Sequence, residues 1–410
     1  MIVGGTMTSV FADNHIPLWQ VSSPRIQAVY WTTDGEYVQW PVIALDPDSH
    51  ITLNFDILDD IDNNSPWLQA KLQHVDKNWN PEPITTSQYV KGFNYADIGF
   101  GEPSINGITT LYRHYELDFP NDQLIPTVSG NYILSLYDNA NPDSILVQVP
   151  LLIQDNKANL TGNVSPVTDI SYKKGDQQVS VTADISQINN PLLLPNDFTL
   201  VIGQNFSPFQ WREVGFPTSL APGTLNYNHN RNLIFNAGNN FRRMEVISNE
   251  IPMMNVERIR WIDPYYHHFL ATDFSRADNR YILDLNNHGK FVVREYNTDE
   301  PEIGADYCLV HFTLDGTDIP PNSRIYIDAD FTGRRLDSSS QLIWDPSRNI
   351  YYKTLMLKQG AYSYQYYSPD PNLEIEGNFY QTENIYPTAL YYRLPGERFD
   401  RLATTLIIND

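Results

Sequence analysis

Apolar side chains recur at every second position along this chain, and that feature restricts it to strands. Ile51, Leu53, Phe55 and Ile57 alternate with Thr52, Asn54 and Asp56, which reads as a strand with one buried and one polar face. Tyr132, Leu134 and Leu136 repeat the pattern behind Ser129-Gly130-Asn131, a turn signal. It returns at Val179, Val181, Ala183 and Ile185, at Phe198, Leu200 and Ile202, and at Ile325, Ile327, Ala329 and Phe331. Leu355 and Leu357, then Tyr362, Tyr364 and Tyr366, complete the series. No stretch of a dozen residues carries a capped 3.6-residue period. Tyrosine occurs 26 times and the 28 prolines are spread along the chain, so many short strands joined by turns are expected and long helices are not. The reading is all-β.

A chain of 410 residues is too long for one core and about right for three domains. Polar stretches at Gln154–Asn163 and Glu295–Gly304 divide it into three consecutive β-sandwiches of the immunoglobulin or fibronectin-III kind, at 13–157, 158–300 and 301–410. Residues 1–12 (MIVGGTMTSVFA) are small and apolar. Val10 and Ala12 stand where a signal peptidase requires small residues, so this segment is expected to be the remnant of a secretory signal, although no basic residue precedes Arg25. No run reaches the roughly 18 apolar residues that span a bilayer, and the mature chain is expected to be soluble.

The formal net charge of −22 repels phosphate backbones and anionic lipid, so nucleic acid and bare membrane are excluded as partners. A basic partner, or a divalent cation bridging to an acidic one, is favoured. The lone cysteine, Cys308, sits in the apolar run Tyr307–Phe312 and reads as a buried thiol, not a nucleophile.

Candidate chemistry is sparse. Asp60-x-Asp62-x-Asn64 opens like a calcium loop, but Ser65 replaces the required glycine and Lys71 stands where the bidentate glutamate belongs. Asp56–Ser65 is therefore expected to be an acidic turn between two strands. His267 and His268 are neighbours in a strand, point to opposite faces and cannot share one metal. Signatures of hydrolases, phosphate loops and dinucleotide sites are absent, and no carboxylate pair stands out. Trp344, Tyr351, Tyr352, Tyr362, Tyr364, Tyr366 and Tyr367 fit cross-strand packing first, a protein interface second and sugar stacking third.

A series of motifs, taken in order, is more specific. Gln73-His74-Val75-Asp76-Lys77-Asn78-Trp79, Tyr89-Val90-Lys91-Gly92-Phe93 and Ser129-Gly130-Asn131-Tyr132 come first. Asp263-Pro264-Tyr265-Tyr266-His267, Ala305-Asp306-Tyr307, Val310–Leu314 and Leu357-Lys358-Gln359-Gly360 follow. The chain closes on Ile375–Asn384, Leu390–Arg393 and Pro395–Leu402. Together these resemble the type IX secretion system plug protein family of Bacteroidetes, from about residue 20 to the end. The chain departs from the pattern at Val75, where cysteine is common, and near Glu245, where aspartate is more usual.

The resemblance implies a periplasmic, non-enzymatic protein held at the outer membrane by its partner, a very large β-barrel translocon whose periplasmic opening it closes. It implies no cofactor, no metal, no small-molecule substrate and no contact with the membrane except through the barrel. The third sandwich looks E-set or glycogen-binding-like, which is analogy of fold alone. Arg398, Phe399 and Arg401 combine residue types favoured at interfaces and are the expected barrel contact. An internal arginine–carboxylate clamp joining the last two strands is the competing reading. The alternative function is carbohydrate binding by the tyrosine-rich third sandwich.

Overall fold

The computed structural model describes residues 20–21, 23–58, 66–105, 107–188 and 190–409. The expected signal remnant at 1–12 and the turn residues Asp60, Asp62, Asn64 and Ser65 lie outside them. Its helices are single turns, such as Thr86–Tyr89 and Pro301–Gly304. Everything else regular is strand, and the sheets pair face to face over apolar cores.

In the first sandwich, strands β1 (Ile26–Thr33), β2 (Ile51–Leu58) and β4 (Tyr112–Phe119) form one sheet. Strands β3 (Leu68–Val75), β5 (Gly130–Asp138) and β6 (Ile145–Gln154) form the other. Period-two residues from both sheets, among them Leu53, Phe55, Tyr132 and Leu134, close the core. The second sandwich begins with β7 (Asn159–Ser165) paired to β8 (Asp176–Asp184). Its opposite sheet contains β9 (Phe198–Ile202).

The chain then leaves before that sandwich is complete. Strand β10 (Arg242–Glu245) opens one sheet of a third sandwich, and β11 (Val256–Ile262) and β12 (Tyr265–Leu270) lie in the other. Strand β12 pairs in parallel with β13 (Tyr307–Asp315), which pairs with β14 (Ile350–Lys358). Strand β15 (Gly360–Tyr367) pairs back to β10. Only afterwards do β16 (Ile385–Tyr392) and β17 (Arg401–Asn409) return, β16 pairing with β9 to finish the second sandwich.

The sandwiches are therefore not consecutive blocks. The expected border at 300/301 cuts through a sheet, because His267–Phe269 pair with Leu309–His311 across it. The block 301–410 also joins strands of two different sandwiches. The third sandwich is an insertion within the second.

A second departure explains how the sandwiches hold together. Alternation predicts a solvent face for Asn54 and Asp56, yet they are 3% and 0% exposed, because the third sandwich covers that face of β2. Asp56 thus lies inside the protein and not in a turn. It accepts hydrogen bonds from Tyr307 Oη at 2.6 Å and Lys358 Nζ at 2.5 Å, and His114 Nδ1 lies 2.7 Å away. Lys358 also donates to the Glu302 carbonyl at 2.5 Å and sits 4.2 Å over the Tyr112 ring. Burial lowers the Lys358 ammonium from the ordinary lysine value, and Asp56 opposes that shift. Beside this group, Asp306 caps the amides of Thr109 and Thr110 at 3.0 Å each.

Removing one partner of a buried pair leaves the other charge uncompensated, at about 3–5 kcal/mol. Lys358→Met is expected to lower the free energy of urea unfolding by about that amount, and Asp56→Asn in the same chain to restore part of it. A loss under about 1 kcal/mol would show that the apolar contacts alone hold this seam.

Candidate functional site

Several of the sequence motifs converge at the seams between sandwiches. At the first seam, His74 of β3 lies 2.6 Å from Glu82, with both side chains buried. Glu82 Oε1 accepts the backbone N–H of Asp400 at 2.7 Å, and the Asp400 carboxylate accepts the N–H of Lys77 at 3.1 Å and Arg393 Nε at 2.9 Å. Gly130, at φ +149°, packs so tightly on the His74 ring that a Cβ would collide with it. Tyr391 Oη donates to Asn131 Oδ1 at 2.8 Å. Below these groups runs an apolar seam in which Trp79 and Ile133 of the first sandwich meet Trp211 and Leu402 of the second. Four motifs, with partners up to 323 residues apart, therefore make one joint between sandwiches.

The motif Ile375–Asn384 secures the neck of the insertion. Glu376 binds Arg242 Nε at 3.0 Å and Arg276 Nε at 2.6 Å. Burial alone would raise its pKa, but Arg242 and Arg276 outweigh that and hold it below the usual glutamate value. Gly238 N donates to Asn378 Oδ1 at 2.8 Å, and Asn384 Nδ2 donates to Gln177 Oε1 at 2.8 Å. The outgoing and returning chains are thereby stapled to β8 and to each other.

The three residues expected at a partner surface divide. Arg401 binds Glu397 through two hydrogen bonds, at 2.7 and 2.5 Å, and its guanidinium lies 5.0 Å over the Phe399 ring. Phe399 packs edge-on against His74, with centroids 5.6 Å apart, and reaches the first core. Arg398 is exposed. Arg401 and Phe399 are thus engaged inside the molecule, and Arg398 alone faces solvent.

His267 and His268 point to opposite faces of β12. His268 is buried, with Nε2 2.9 Å from Asn249 Oδ1, and burial pushes its pKa down to about 4, with smaller contributions from His267 and His311. His267 faces outward, its Nδ1 2.8 Å from His311 Nε2. That pairing was not visible in sequence, because it depends on the parallel register of β12 and β13. Among the described residues no group of three His, Cys, Asp or Glu side chains is placed to hold a metal ion. Cys308 is buried, and burial pushes its thiol up.

Tyr351, Tyr362, Tyr364 and Tyr366 are all core residues, unavailable to stack on a sugar. Tyr367 stacks on Phe209 of the second sandwich at 4.5 Å. A cleft of about 460 Å³ lies between β1 and β14, walled largely by apolar residues such as Val29, Phe331 and Leu355. Its Asp330 is committed to Arg334 Nε at 2.7 Å and Tyr37 Oη at 2.9 Å, which leaves no carboxylate pair facing the cleft for glycoside chemistry.

Comparison with known proteins places this architecture. The family model of the type 9 secretion system plug protein 1st domain matches residues 26–155. A crystal structure of a hypothetical protein from Parabacteroides merdae ATCC 43184 is 33% identical and superposes with a TM-score of 0.90, over 96% of this chain and 99% of that one. The chain belongs to the type 9 secretion system plug protein family. No curated protein matches it. The family match extends from β1 to just past β6, so it covers the first sandwich, whose two sheets carry the His74 and Asp56 joints. A role related to type IX secretion follows.

Two outcomes follow from these contacts. Arg401→Glu places like charges together and is expected to lower stability by about 1–2 kcal/mol, while Arg398→Glu stays within about 0.5 kcal/mol of the parent in thermal unfolding. Equal losses for both would show that Arg398 is also engaged internally. His268 and His288 are each pushed down from 6.5 to about 4, chiefly by burial. Their contribution is complete above pH 6.5 and is lost as pH falls towards 4, because the unfolded chain takes up protons that the folded chain refuses. Unfolding free energy is therefore expected to decline by up to about 1.4 kcal/mol per pH unit for each histidine in that window, and His268→Gln removes one share. A flat profile between pH 7 and 4.5 would contradict this.

Proposed function

We propose that the chain is a non-enzymatic plug subunit that binds the outer-membrane type IX protein translocon, a very large β-barrel, and closes its periplasmic opening. The proposed location is the periplasm, at the outer membrane, with membrane association only through the barrel. The observation that carries this reading is the joining of the sandwiches into one body by buried charge and apolar seams. A stopper in a wide pore must hold its shape under load, and hinged sandwiches would not. The same joints absorb the motifs at 73–79, 129–132, 375–384 and 390–402, so a partner is proposed to be met by outer sheet faces and loops. Arg398 is the proposed contact from the closing motif. Among the described residues, no helix is long and apolar enough to cross a membrane. Carbohydrate binding is not supported, since Tyr351, Tyr362, Tyr364 and Tyr366 fill the third core and Tyr367 stacks on Phe209.

Affinity purification of the tagged chain from its native envelope tests the reading. One very large barrel is expected near one-to-one, with recovery reduced by Arg398→Glu while thermal stability is kept. Recovery without a barrel, but with retention on polysaccharide, would overturn it.

A further inference from the structure

We infer that β11 (Val256–Ile262) is a docking edge to which an extended, acidic segment of another protein adds as a further strand. Strand β11 ends its five-stranded sheet, and β12 is its one partner. From Arg258 to Ile262, no backbone hydrogen bond reaches its outer side among the described residues. A long open edge is a template for strand addition unless it is blocked.

The side chains define what can pair there. Arg258 and Arg260 stand opposite Phe269 and His267, on the sheet face turned away from the core. The Arg258 guanidinium lies 4.3 Å over the Phe269 ring, Phe269 stacks on His311 at 4.3 Å and 7°, and His311 stacks on His267 at 5.0 Å. The imidazoles are committed: His267 pairs with His311, and Thr354 Oγ1 lies 2.9 Å from His311 Nδ1. Neither guanidinium has a carboxylate partner among the described residues, in a chain with 49 acidic and 27 basic side chains. No ion pair joins them to a neighbouring acid among the described residues. Glu257 is the extra residue of a bulge and Asp263 lies in the turn to β12. At the far end of the sheet Asp345 is paired with Arg348 at 2.6 Å, and Asp315 caps the Thr317 amide at 2.8 Å.

Arg258 and Arg260 exclude a second copy of this chain, because pairing β11 with itself antiparallel would bring arginine against arginine. They favour a strand with acidic side chains two residues apart, one facing each guanidinium. Residues between those acids would face the side of Trp261, which is 49% exposed, and so should be apolar. An anionic polysaccharide could meet the arginines but would leave the strand edge unused, so a polypeptide is the favoured partner. This inference does not depend on the chain closing a translocon.

The test uses the full chain and two seven-residue peptides, with glutamate or lysine at alternate positions and valine between. Fluorescence anisotropy at low salt is expected to give saturable binding of the glutamate peptide, with the lysine peptide at least about tenfold weaker. Amide hydrogen exchange should slow across residues 258–262 when the glutamate peptide binds. In R258E/R260E the preference is expected to reverse, which would also establish that the variant folds. The wild-type comparison stands alone should that variant fail to fold. Equal binding of both peptides, no binding up to about 1 mM, or binding without slowed exchange would overturn the inference. Displacement of the glutamate peptide by alginate with no exchange signature from alginate itself would support it; tighter alginate binding than peptide binding would overturn it in favour of a polysaccharide.

Discussion

A buried charge must be matched in place, and the carboxylate of Asp56 imposes that condition on two sandwiches at once. Its partners come from different strands: His114 from β4, Tyr307 from β13 and Lys358 from β14. Apolar seams tolerate sliding, because dispersion and burial have little direction. Hydrogen bonds of 2.5–2.7 Å to a fully buried carboxylate do not. A slip by one strand spacing, about 4.8 Å, would strand Asp56 and Lys358 apart in a medium where an unpaired charge is worth several kcal/mol. The relative placement of the first and third sandwiches is thereby fixed by charge, and the apolar contacts around Leu58, Tyr112 and Tyr307 fill in around it.

The insertion makes that constraint propagate. The third sandwich is tied to the second by a neck in which Gly238, Asn378, Gln177 and Asn384 hold both crossing chains. It is tied to the first through Asp56. The first and second are joined directly through Trp79, Trp211 and the Asp400 network. Each sandwich therefore touches the other two, and rotation at one seam has to open a second. Three sandwiches joined by linkers in series would bend; joined in a closed triangle, they move as one.

The fold class was legible because alternation records which face of a strand is buried. Ile51, Leu53, Phe55 and Ile57 lie inward as their spacing requires. Alternation does not record what lies on the other face. Asp56 looked like a turn acid because nothing local distinguishes a solvated aspartate from one covered by a lysine 302 residues later. The insertion was hidden for a related reason: the polar stretch near Glu295–Gly304 looks like a linker, yet it joins Phe291–Val293 to β13, strands in the two sheets of one sandwich, and a strand's hydrophobic pattern does not name its neighbour. In the closing motif, residue type alone does not separate a contact inside the molecule from one with a partner. Arg401 and Phe399 were recognisable as interface residues, and the interface they serve is the molecule's own.

Internal pairing also redistributes charge in a way that the total of −22 conceals. Arg242, Arg276 and Arg334 are matched to Glu376, Asp273, Asp328 and Asp330, and Lys358 to Asp56. These four cations are drawn inside together with five carboxylates, so the surface keeps nearly the whole net negative charge of the chain. Arg258, Arg260 and Arg398 are among the exposed arginines with no carboxylate partner among the described residues that stand against that background. At physiological salt the Debye length is about 8 Å, so the general negative field is screened beyond a side chain's reach. A contact pair inside an interface is not. Recognition by such a surface is governed less by attraction at a distance than by where its unpaired cations meet an open strand edge.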